Sequence, residues 1–250
     1  MISFWPEHKF NASDCGLWKG MTEVHCHLLP GVDDGVKTWE EASGLLRYME
    51  EEVGVRKICM TPHTMMDFNN GPSALLLEKF KDLCGRYTGG IHLSIASEYM
   101  LDATFSGRLG CDDVLSLGTW DQLELLLVET SGTMPSPHLG GMLEDIAEAG
   151  YLPVIAHPER YVYMSEWRYK ELEEKGYLFQ LNVPSLYGYY GDKIKKRAEW
   201  LMDEKLYYFA GFDIHRYESY AQVIKNLKLT RARMEYLCEL LDNNKLIHDL

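Results

Sequence analysis

Five histidines and four carboxylates recur along the chain, each at or soon after the end of a short apolar run. Imidazole nitrogens together with carboxylate oxygens suit Zn, Mn or Fe, whereas an all-oxygen set would point toward Mg or Ca. Several carboxylates in one set can bridge neighbouring cations, so we expect more than one metal ion. The candidate ligands are His25, His27, Asp34, His63, Glu98, Glu129, His157, Asp213 and His215.

Each of these motifs is weak when it is taken alone. A single histidine on an apolar strand is more often a core residue than a ligand. His25 and His27 share one side of a strand because they are two residues apart, but Asp33 and Asp34 before Gly35 also suit an ordinary turn. The recurrence of nine such residues at strand ends outweighs these interpretations. The other four histidines are predicted at the surface or in loops: His8, His92, His138 and His248.

The elements that must position these residues alternate between strands and helices. Apolar runs predict seven buried strands, which end near Val24 and cover residues 55–60, 91–96, 123–128, 152–156, 177–181 and 207–212. Amphipathic stretches predict helices over 38–53, with Thr38 as N-cap, and over 72–88, 139–147, 164–175, 191–205 and 217–241. Seven βα units favour a closed or nearly closed α/β barrel, and a doubly wound open sheet is the alternative. In a barrel the candidate ligands would meet at the C-terminal face.

The length and composition predict one domain. With 250 residues and 46% hydrophobic content, the chain can bury one large core. Residues 1–20 fit neither the strand nor the helix pattern, so we predict an N-terminal extension that is packed on the barrel or partly mobile. The domain itself is predicted to cover residues 21–250.

Charge and cysteine usage exclude several classes of protein. The net charge of -13 argues against nucleic-acid binding, which depends on clustered Lys and Arg. No apolar run approaches the roughly 20 residues that span a bilayer, and the six cysteines lack C-x-x-C spacing, so we predict a cytoplasmic protein that is not embedded in a membrane. No cysteine is followed six positions later by arginine, which excludes a thiol-based tyrosine phosphatase.

Five segments resemble the polymerase and histidinol phosphatase (PHP) superfamily, and within it the bacterial capsule-type protein-tyrosine phosphatases. They are V-H-C-H-L-L-P-G-V-D-D-G (24–35), T-P-H (61–63), A-S-E (96–98), A-H-P-E-R-Y (156–161) and D-I-H (213–215). The resemblance runs from about residue 21 to at least residue 215. The first and fourth segments are specific to the capsule-type branch.

The resemblance implies a distorted (β/α)₇ TIM-like barrel with three divalent metal ions, manganese above all, with iron, zinc or magnesium as alternatives. It implies Arg160 as the phosphate-binding residue, whereas Thr64 and Arg216 depart from the family's arrangement of basic residues. The implied ligands are His25, His27, Glu98 and Asp213 for one metal, Glu98, Glu129 and His157 for a second, and Asp34, His63 and His215 for a third.

The resemblance also implies the substrate, which is the phosphorylated tyrosine cluster of a bacterial tyrosine kinase that controls capsule or exopolysaccharide synthesis. Two alternatives stay open. One is a small-molecule phosphatase of the same superfamily, such as a histidinol phosphatase. The other is a metal-stabilised regulatory or scaffold protein of polysaccharide assembly, in which Y-G-Y-Y (187–190) is either a docking surface or an ordinary aromatic loop. For Arg160, the alternative role is a salt bridge to Glu159 or to another acid at a strand end.

Overall fold

The computed structural model describes residues 8–68, 71–248 and 250. In this part of the chain, buried parallel strands form the interior and amphipathic helices pack around them, which gives a mixed α/β fold. The extension predicted at residues 1–20 falls partly on residues 1–7, which lie outside the described residues. Among the helices of the described ranges, none has the length and apolar content that a membrane crossing requires.

The strands are short. In chain order they are β1 (Lys9–Asn11), β2 (Thr22–Cys26), β3 (Lys57–Met60), β4 (His63–Thr64), β5 (His92–Ile95), β6 (Glu98–Met100), β7 (Thr119–Trp120), β8 (Leu123–Glu129), β9 (Tyr151–Ala156), β10 (Leu178–Asn182), β11 (Phe209–Gly211) and β12 (Lys228–Thr230). Each of the seven predicted strands corresponds to a parallel strand, namely β2, β3, β5, β8, β9, β10 or β11. The parallel strands β4 and β6 were not predicted. Each begins three residues after the end of β3 or β5, so the apolar runs do not separate it from the strand before it.

The parallel strands lie in two sheets. One sheet has the order β2-β3-β5, and the other has the order β11-β10-β9-β8-β6-β4 with β7 antiparallel to β8. β3 ends at Met60 and β4 begins at His63, while β5 ends at Ile95 and β6 begins at Glu98. The chain therefore passes twice from the first sheet to the second. The predicted parallel arrangement is confirmed, and closure into a barrel stays a prediction.

Helices follow most of the parallel strands. In the described part of the chain they are α1 (Trp39–Tyr48), α2 (Ser73–Arg86), α3 (Phe105–Gly110), α4 (Leu139–Glu148), α5 (Glu166–Glu174), α6 (Val183–Tyr187), α7 (Asp192–Asp203), α8 (Tyr217–Asn226) and α9 (Arg231–Asn244), with a π-helical turn at Met49–Val53 and a 3₁₀ turn at Pro158–Arg160. The predicted N-cap is confirmed, because Thr38 Oγ1 accepts a hydrogen bond from Glu41 N at 3.3 Å.

The prediction of one helix over 217–241 is wrong, because α8 and α9 are separated by β12. Leu227 leaves the helical region with ψ 125°, and β12 then pairs antiparallel with β1. Trp18 is buried, and its indole N–H donates to the carbonyl of Ile224 in α8 at 3.2 Å. Residues 8–20 therefore pack on α8 and β12, and the domain boundary at residue 20 stays a prediction.

Candidate metal centre

The candidate ligands stand at one end of the parallel strands. His25 lies in β2 and His27 just beyond it, Glu129 ends β8, and His157 and Asp213 follow β9 and β11. Two of these residues, His157 and Asp213, have a positive φ, 34° and 50°. Positive φ strains residues other than glycine and is concentrated at functional sites. The backbone is thus held in costly conformations where the candidate ligands are presented.

Side chains from distant parts of the sequence converge in a single cluster. Three groups have ligand atoms that all lie within 4.8 Å of one another: His25, His27, Glu98 and Asp213; His63, Glu98 and Glu129; and His27, Asp34, His63 and His215. The groups share members, so they form one contiguous cluster. His157 joins it through Nε2, which lies 2.7 Å from Glu98 Oε1 and 3.8 Å from Glu129 Oε2.

These groups can be compared with the three expected ligand sets. The first group contains the four residues expected for one metal. In the second group His63 stands with the two carboxylates, although His157 also contacts both of them. The third group adds His27 to the expected residues. The structure therefore brings all nine residues together, while the number of cations and the division of ligands among them stay predictions.

Glu98 occupies the centre of the cluster. Its Oε2 lies 3.2 Å from His25 Nε2, 3.4 Å from His27 Nε2 and 3.0 Å from His63 Nδ1, and the residue is fully buried. Burial would raise the pKa of Glu98, but the His25, His63 and His157 imidazoles hold it well below its usual range. A buried ionised carboxylate facing several imidazoles suits a bridge between cations.

Outer hydrogen bonds fix the histidine tautomers. His25 Nδ1 lies 2.8 Å from Gln180 Oε1 and His27 Nδ1 lies 2.7 Å from Asp33 Oδ2, so each Nδ1–H donates outward and each Nε2 points into the cluster. The two Nε2 atoms face each other at 3.3 Å. Metal-binding histidines are oriented in this way, and the residues present fit divalent cations.

Buried carboxylate oxygens support the same conclusion. Glu98 Oε2, Glu129 Oε1 and Asp213 Oδ1 have no hydrogen-bond donor among the described residues. Imidazole nitrogens lie within ion-pair distance of all three oxygens but are not aligned to donate. Because a buried oxygen without an aligned donor is costly, these three atoms suit a cation as a further partner.

Asp33 orients His27 and the backbone at His63 by hydrogen bonds. The sequence analysis did not predict this role. Its carboxylate accepts from His27 Nδ1 at 2.7 Å, Gly35 N at 2.9 Å and His63 N at 2.9 Å. A Cβ at Gly35 would meet the His27 carbonyl oxygen at 2.2 Å, so this position requires glycine. Of the two adjacent aspartates, Asp33 is buried and holds the loop, and the half-exposed Asp34 side chain faces His215 at 3.1 Å.

Two polar residues of β10 were also missed. Gln180 binds His25, and Asn182 Nδ2 donates to Asp213 Oδ2 at 3.1 Å. Their signal in the sequence is weak, because Gln180 and Asn182 are the only polar residues in L-F-Q-L-N and both are fully buried. Polar residues inside an apolar strand indicate hydrogen-bond partners in the interior.

Arg160 lies at the edge of the cluster. Its Nη2 donates to Asp213 Oδ2 at 2.5 Å, and its side chain is 23% exposed. Arg160 does not form the alternative salt bridge with Glu159. It forms a salt bridge with another acid near a strand end, Asp213. Glu159 is buried and accepts from Asn182 N and Tyr207 Oη, both at 3.0 Å. Burial raises the pKa of Glu159.

Glu159 is therefore expected to stabilise the fold. Glu159→Ala leaves two buried donors without an acceptor, and each such donor costs roughly 1–3 kcal/mol. We expect the free energy of unfolding to fall by about 2–4 kcal/mol, measured by urea denaturation. Glu159→Gln keeps one acceptor oxygen and should lose less. The exposed Glu148→Ala is the control, and equal midpoints for Glu159→Ala and this control would contradict the prediction.

Cys26 packs away from the cluster, although two candidate ligands flank it. The residue is fully buried, and Sγ donates to the Cys59 carbonyl at 3.4 Å. Burial raises the pKa of the Cys26 thiol well above its usual value, so it stays protonated. We expect Cys26→Ser to keep turnover within about threefold of the wild type. Loss of turnover with unchanged metal content, measured by elemental analysis, would contradict this.

The remaining predictions concern residues outside the cluster. His8, His92, His138 and His248 are all exposed, as predicted. Thr64 is buried and donates to Ser97 Oγ at 3.2 Å. Arg216 donates to the carbonyls of Gly35 and His215, both at 2.7 Å, and so braces the loop that carries Asp34.

Comparisons with known proteins agree with the resemblance. The putative tyrosine-protein phosphatase CapC of Staphylococcus aureus is 27% identical over 235 residues, which is 91% of each chain. The tyrosine-protein phosphatase YwqE of Bacillus subtilis (strain 168) is 28% identical over 200 residues, 78% of this chain and 77% of YwqE.

The fold is shared with a solved structure. The crystal structures of YwqE from Bacillus subtilis and CpsB from Streptococcus pneumoniae, described as unique metal-dependent tyrosine phosphatases, include a chain that matches with a TM-score of 0.72. That match has 24% identity and covers 91% of this chain and 94% of the other. The family model for capsular polysaccharide synthesis, CpsB/CapC, matches residues 21–243. The resemblance seen in the sequence is thereby confirmed, and the chain belongs to the CpsB/CapC family of capsular polysaccharide synthesis.

Proposed function

We propose that the chain is a metal-dependent protein-tyrosine phosphatase that acts on a bacterial tyrosine kinase of capsule or exopolysaccharide synthesis. The observation that carries this proposal is the single buried cluster of imidazoles and carboxylates around Glu98. Relatives named as tyrosine-protein phosphatases support the reaction. The family's connection with capsular polysaccharide synthesis supports the pathway of the partner.

The proposed cofactor is a set of three divalent metal ions, with manganese expected. His25, His27, Glu98 and Asp213 would hold one, Glu98, Glu129 and His157 a second, and Asp34, His63 and His215 the third. When bound, such ions act as Lewis acids and activate water for attack on phosphorus. The mixture of imidazole and carboxylate ligands supports manganese or iron over magnesium.

Other side chains would bind the substrate and orient the metal ligands. Arg160 binds the phosphoryl oxygens of the substrate, because its planar fork matches two of them and it is partly exposed at the edge of the cluster. Gln180 and Asp33 keep the His25 and His27 imidazoles in the ligand tautomer. A tyrosyl phenol, with an unperturbed pKa of about 10, leaves more readily than an alkyl alcohol. No general acid is therefore assigned.

Two contacts support the further proposal that the two parallel sheets close into a distorted (β/α)₇ barrel over residues 21–250. Cys26, at the end of β2, pairs with Ile214 beyond β11 in an isolated parallel bridge. Glu23 of β2 accepts a hydrogen bond from Phe212 N at 3.1 Å. Closure at this point would bring the first and last parallel strands together. The predicted cytoplasmic location is part of the same proposal, and the free state of all six cysteines supports it.

The test compares three substrates with manganese and with a chelator: a phosphotyrosine peptide, histidinol phosphate and a generic aryl phosphate. We expect the protein to hydrolyse the peptide and the aryl phosphate, to lose both activities with chelator, and to regain them when manganese is added. Preference for histidinol phosphate would favour a small-molecule phosphatase. Metal binding without turnover of any substrate would favour a regulatory protein.

A further inference from the structure

The loop between α6 and α7 presents Tyr190 to the candidate metal centre. Gly188 and Gly191 bracket the two tyrosines of this loop, and both glycines have a positive φ, 93° and 92°. Side chains other than glycine are strained in this conformation, so the two glycines set the path of the loop. Tyr189 points outward and is 51% exposed. Tyr190 points inward and lies over Arg160.

Tyr190, Asn182 and Asp213 form a continuous set of contacts with Arg160. The Arg160 guanidinium carbon lies 4.1 Å from the centroid of the Tyr190 ring. Asn182 Nδ2 donates to Tyr190 Oη at 3.3 Å and to Asp213 Oδ2 at 3.1 Å. The same Asp213 oxygen accepts from Arg160 Nη2. The guanidinium therefore lies over an aromatic ring and donates to a carboxylate.

The aromatic face of Tyr190 contacts the guanidinium without accepting the hydrogen bonds that a second carboxylate would accept. Arg160 Nε is buried and has no acceptor among the described residues, which is costly unless a ligand supplies one. A second carboxylate in place of the ring would occupy these donors and cancel the positive charge. An aromatic face attracts the cation instead, and the remaining N–H groups stay available for phosphoryl oxygens.

We propose that Tyr190 is the positioning residue for the phosphate-binding guanidinium of Arg160. The inference rests on the proposed phosphatase function and explains one tyrosine of the Y-G-Y-Y segment. Tyr190 acts through Arg160: the ring beneath the guanidinium restrains the fork before the substrate arrives. Preorganisation of this kind lowers the cost of binding the phosphoryl group.

The test compares Tyr190→Leu and Tyr190→Phe with the matched control Tyr151→Leu in the manganese-loaded protein. Removing the ring should raise KM for a phosphotyrosine peptide, and weaken inhibition by inorganic phosphate, by about 2- to 30-fold, the range typical of a cation–π contact. Tyr190→Phe keeps the ring and should stay within about threefold of the wild type. Tyr151→Leu should match the wild type, because Tyr151 begins β9 at the end opposite to His157 and its hydroxyl donates to Asp112. Bound metal should be equal in every variant.

A double-mutant cycle separates positioning from a general structural effect. In an Arg160→Ala background, Tyr190→Leu should cause no further loss, because the residue through which it acts is absent. Additive losses, or equal damage from Leu and Phe, would overturn the proposal.

Calorimetry of inorganic phosphate binding measures the effect of the Tyr190–Arg160 contact on phosphate affinity without requiring turnover. A wild type that binds phosphate but hydrolyses no ester would refute the proposed function, and the effect of Tyr190→Leu on the phosphate dissociation constant would still decide the positioning role. A wild type that neither binds phosphate nor hydrolyses any ester would overturn both, and for an active wild type without measurable phosphate binding the KM comparison decides the positioning role. An active wild type whose KM and phosphate affinity do not respond to Tyr190→Leu would overturn the positioning role alone.

Discussion

Glu98→Gln is expected to reduce turnover of an aryl phosphate by more than about 100-fold and to lower the metal content. Loss of an outer partner of a metal ligand costs roughly 10- to 100-fold, and Glu98 is itself a candidate ligand in two of the three groups. Its oxygens face four imidazoles at 2.7–3.4 Å. A neutral amide has one acceptor oxygen and no charge, so it cannot bridge two cations. Steady-state kinetics with manganese and elemental analysis of the purified protein measure the two effects.

The control for Glu98→Gln is the same substitution at Glu148, which is exposed at the end of α4. Glu148→Gln should keep wild-type turnover and metal content. Because Glu98 is buried among imidazoles, the amide variant also needs a folding check by circular dichroism. A folded Glu98→Gln protein with full metal content and full turnover would remove Glu98 from the proposed metal centre.

Arg160→Ala is expected to lower kcat/KM for a phosphotyrosine peptide by about 10²- to 10³-fold, the usual effect of losing one donor to transition-state charge. At saturating manganese the metal content should not change, because Arg160 supplies no ligand atom and Asn182 Nδ2 still donates to Asp213 Oδ2. Arg160→Lys should recover only part of the loss, since a single ammonium cannot contact two phosphoryl oxygens in the plane of a fork. Kinetics and metal analysis on the same preparations separate substrate binding from assembly of the centre.

Arg231 provides the matched arginine control. Its side chain is 83% exposed and pairs with Glu235 on the surface of α9, so Arg231→Ala should leave kinetics unchanged. Unchanged turnover in Arg160→Ala would mean that the salt bridge to Asp213 is the whole role of this arginine. Loss of metal together with turnover would mean that Arg160 supports the cluster instead of the substrate.

The sequence identified the candidate ligands because strand ends are marked by a change from apolar to polar residues. In parallel βα units this change occurs at one face of the fold, so position along the chain predicts position in space. His157 and Asp213 follow such runs directly, and the structure places both in the cluster. The parallel strands and most of the helices were predictable for the same reason.

The parts that could not be predicted depend on contacts between distant segments. Asp33 and Asp34 are adjacent and chemically identical, and only the folded loop buries one beneath His27 and turns the other toward His215. Tyr190 and Tyr189 differ in the same way. The break between α8 and α9 arises because β12 pairs with β1, more than 200 residues earlier in the chain. Local periodicity contains no information about these partners.

The short strand β4, where the chain passes from one sheet to the other, is expected to open first when the protein is heated. β4 contains only two residues, and its pairing with β6 aligns His63 with Glu98 and Thr64 with Tyr99. So short a ladder has few hydrogen bonds to protect it from local opening. Opening there would separate His63 from Glu98 while the longer strands β8 and β9 remained paired. On warming, the enzyme would therefore lose activity at a temperature where most of its secondary structure persists.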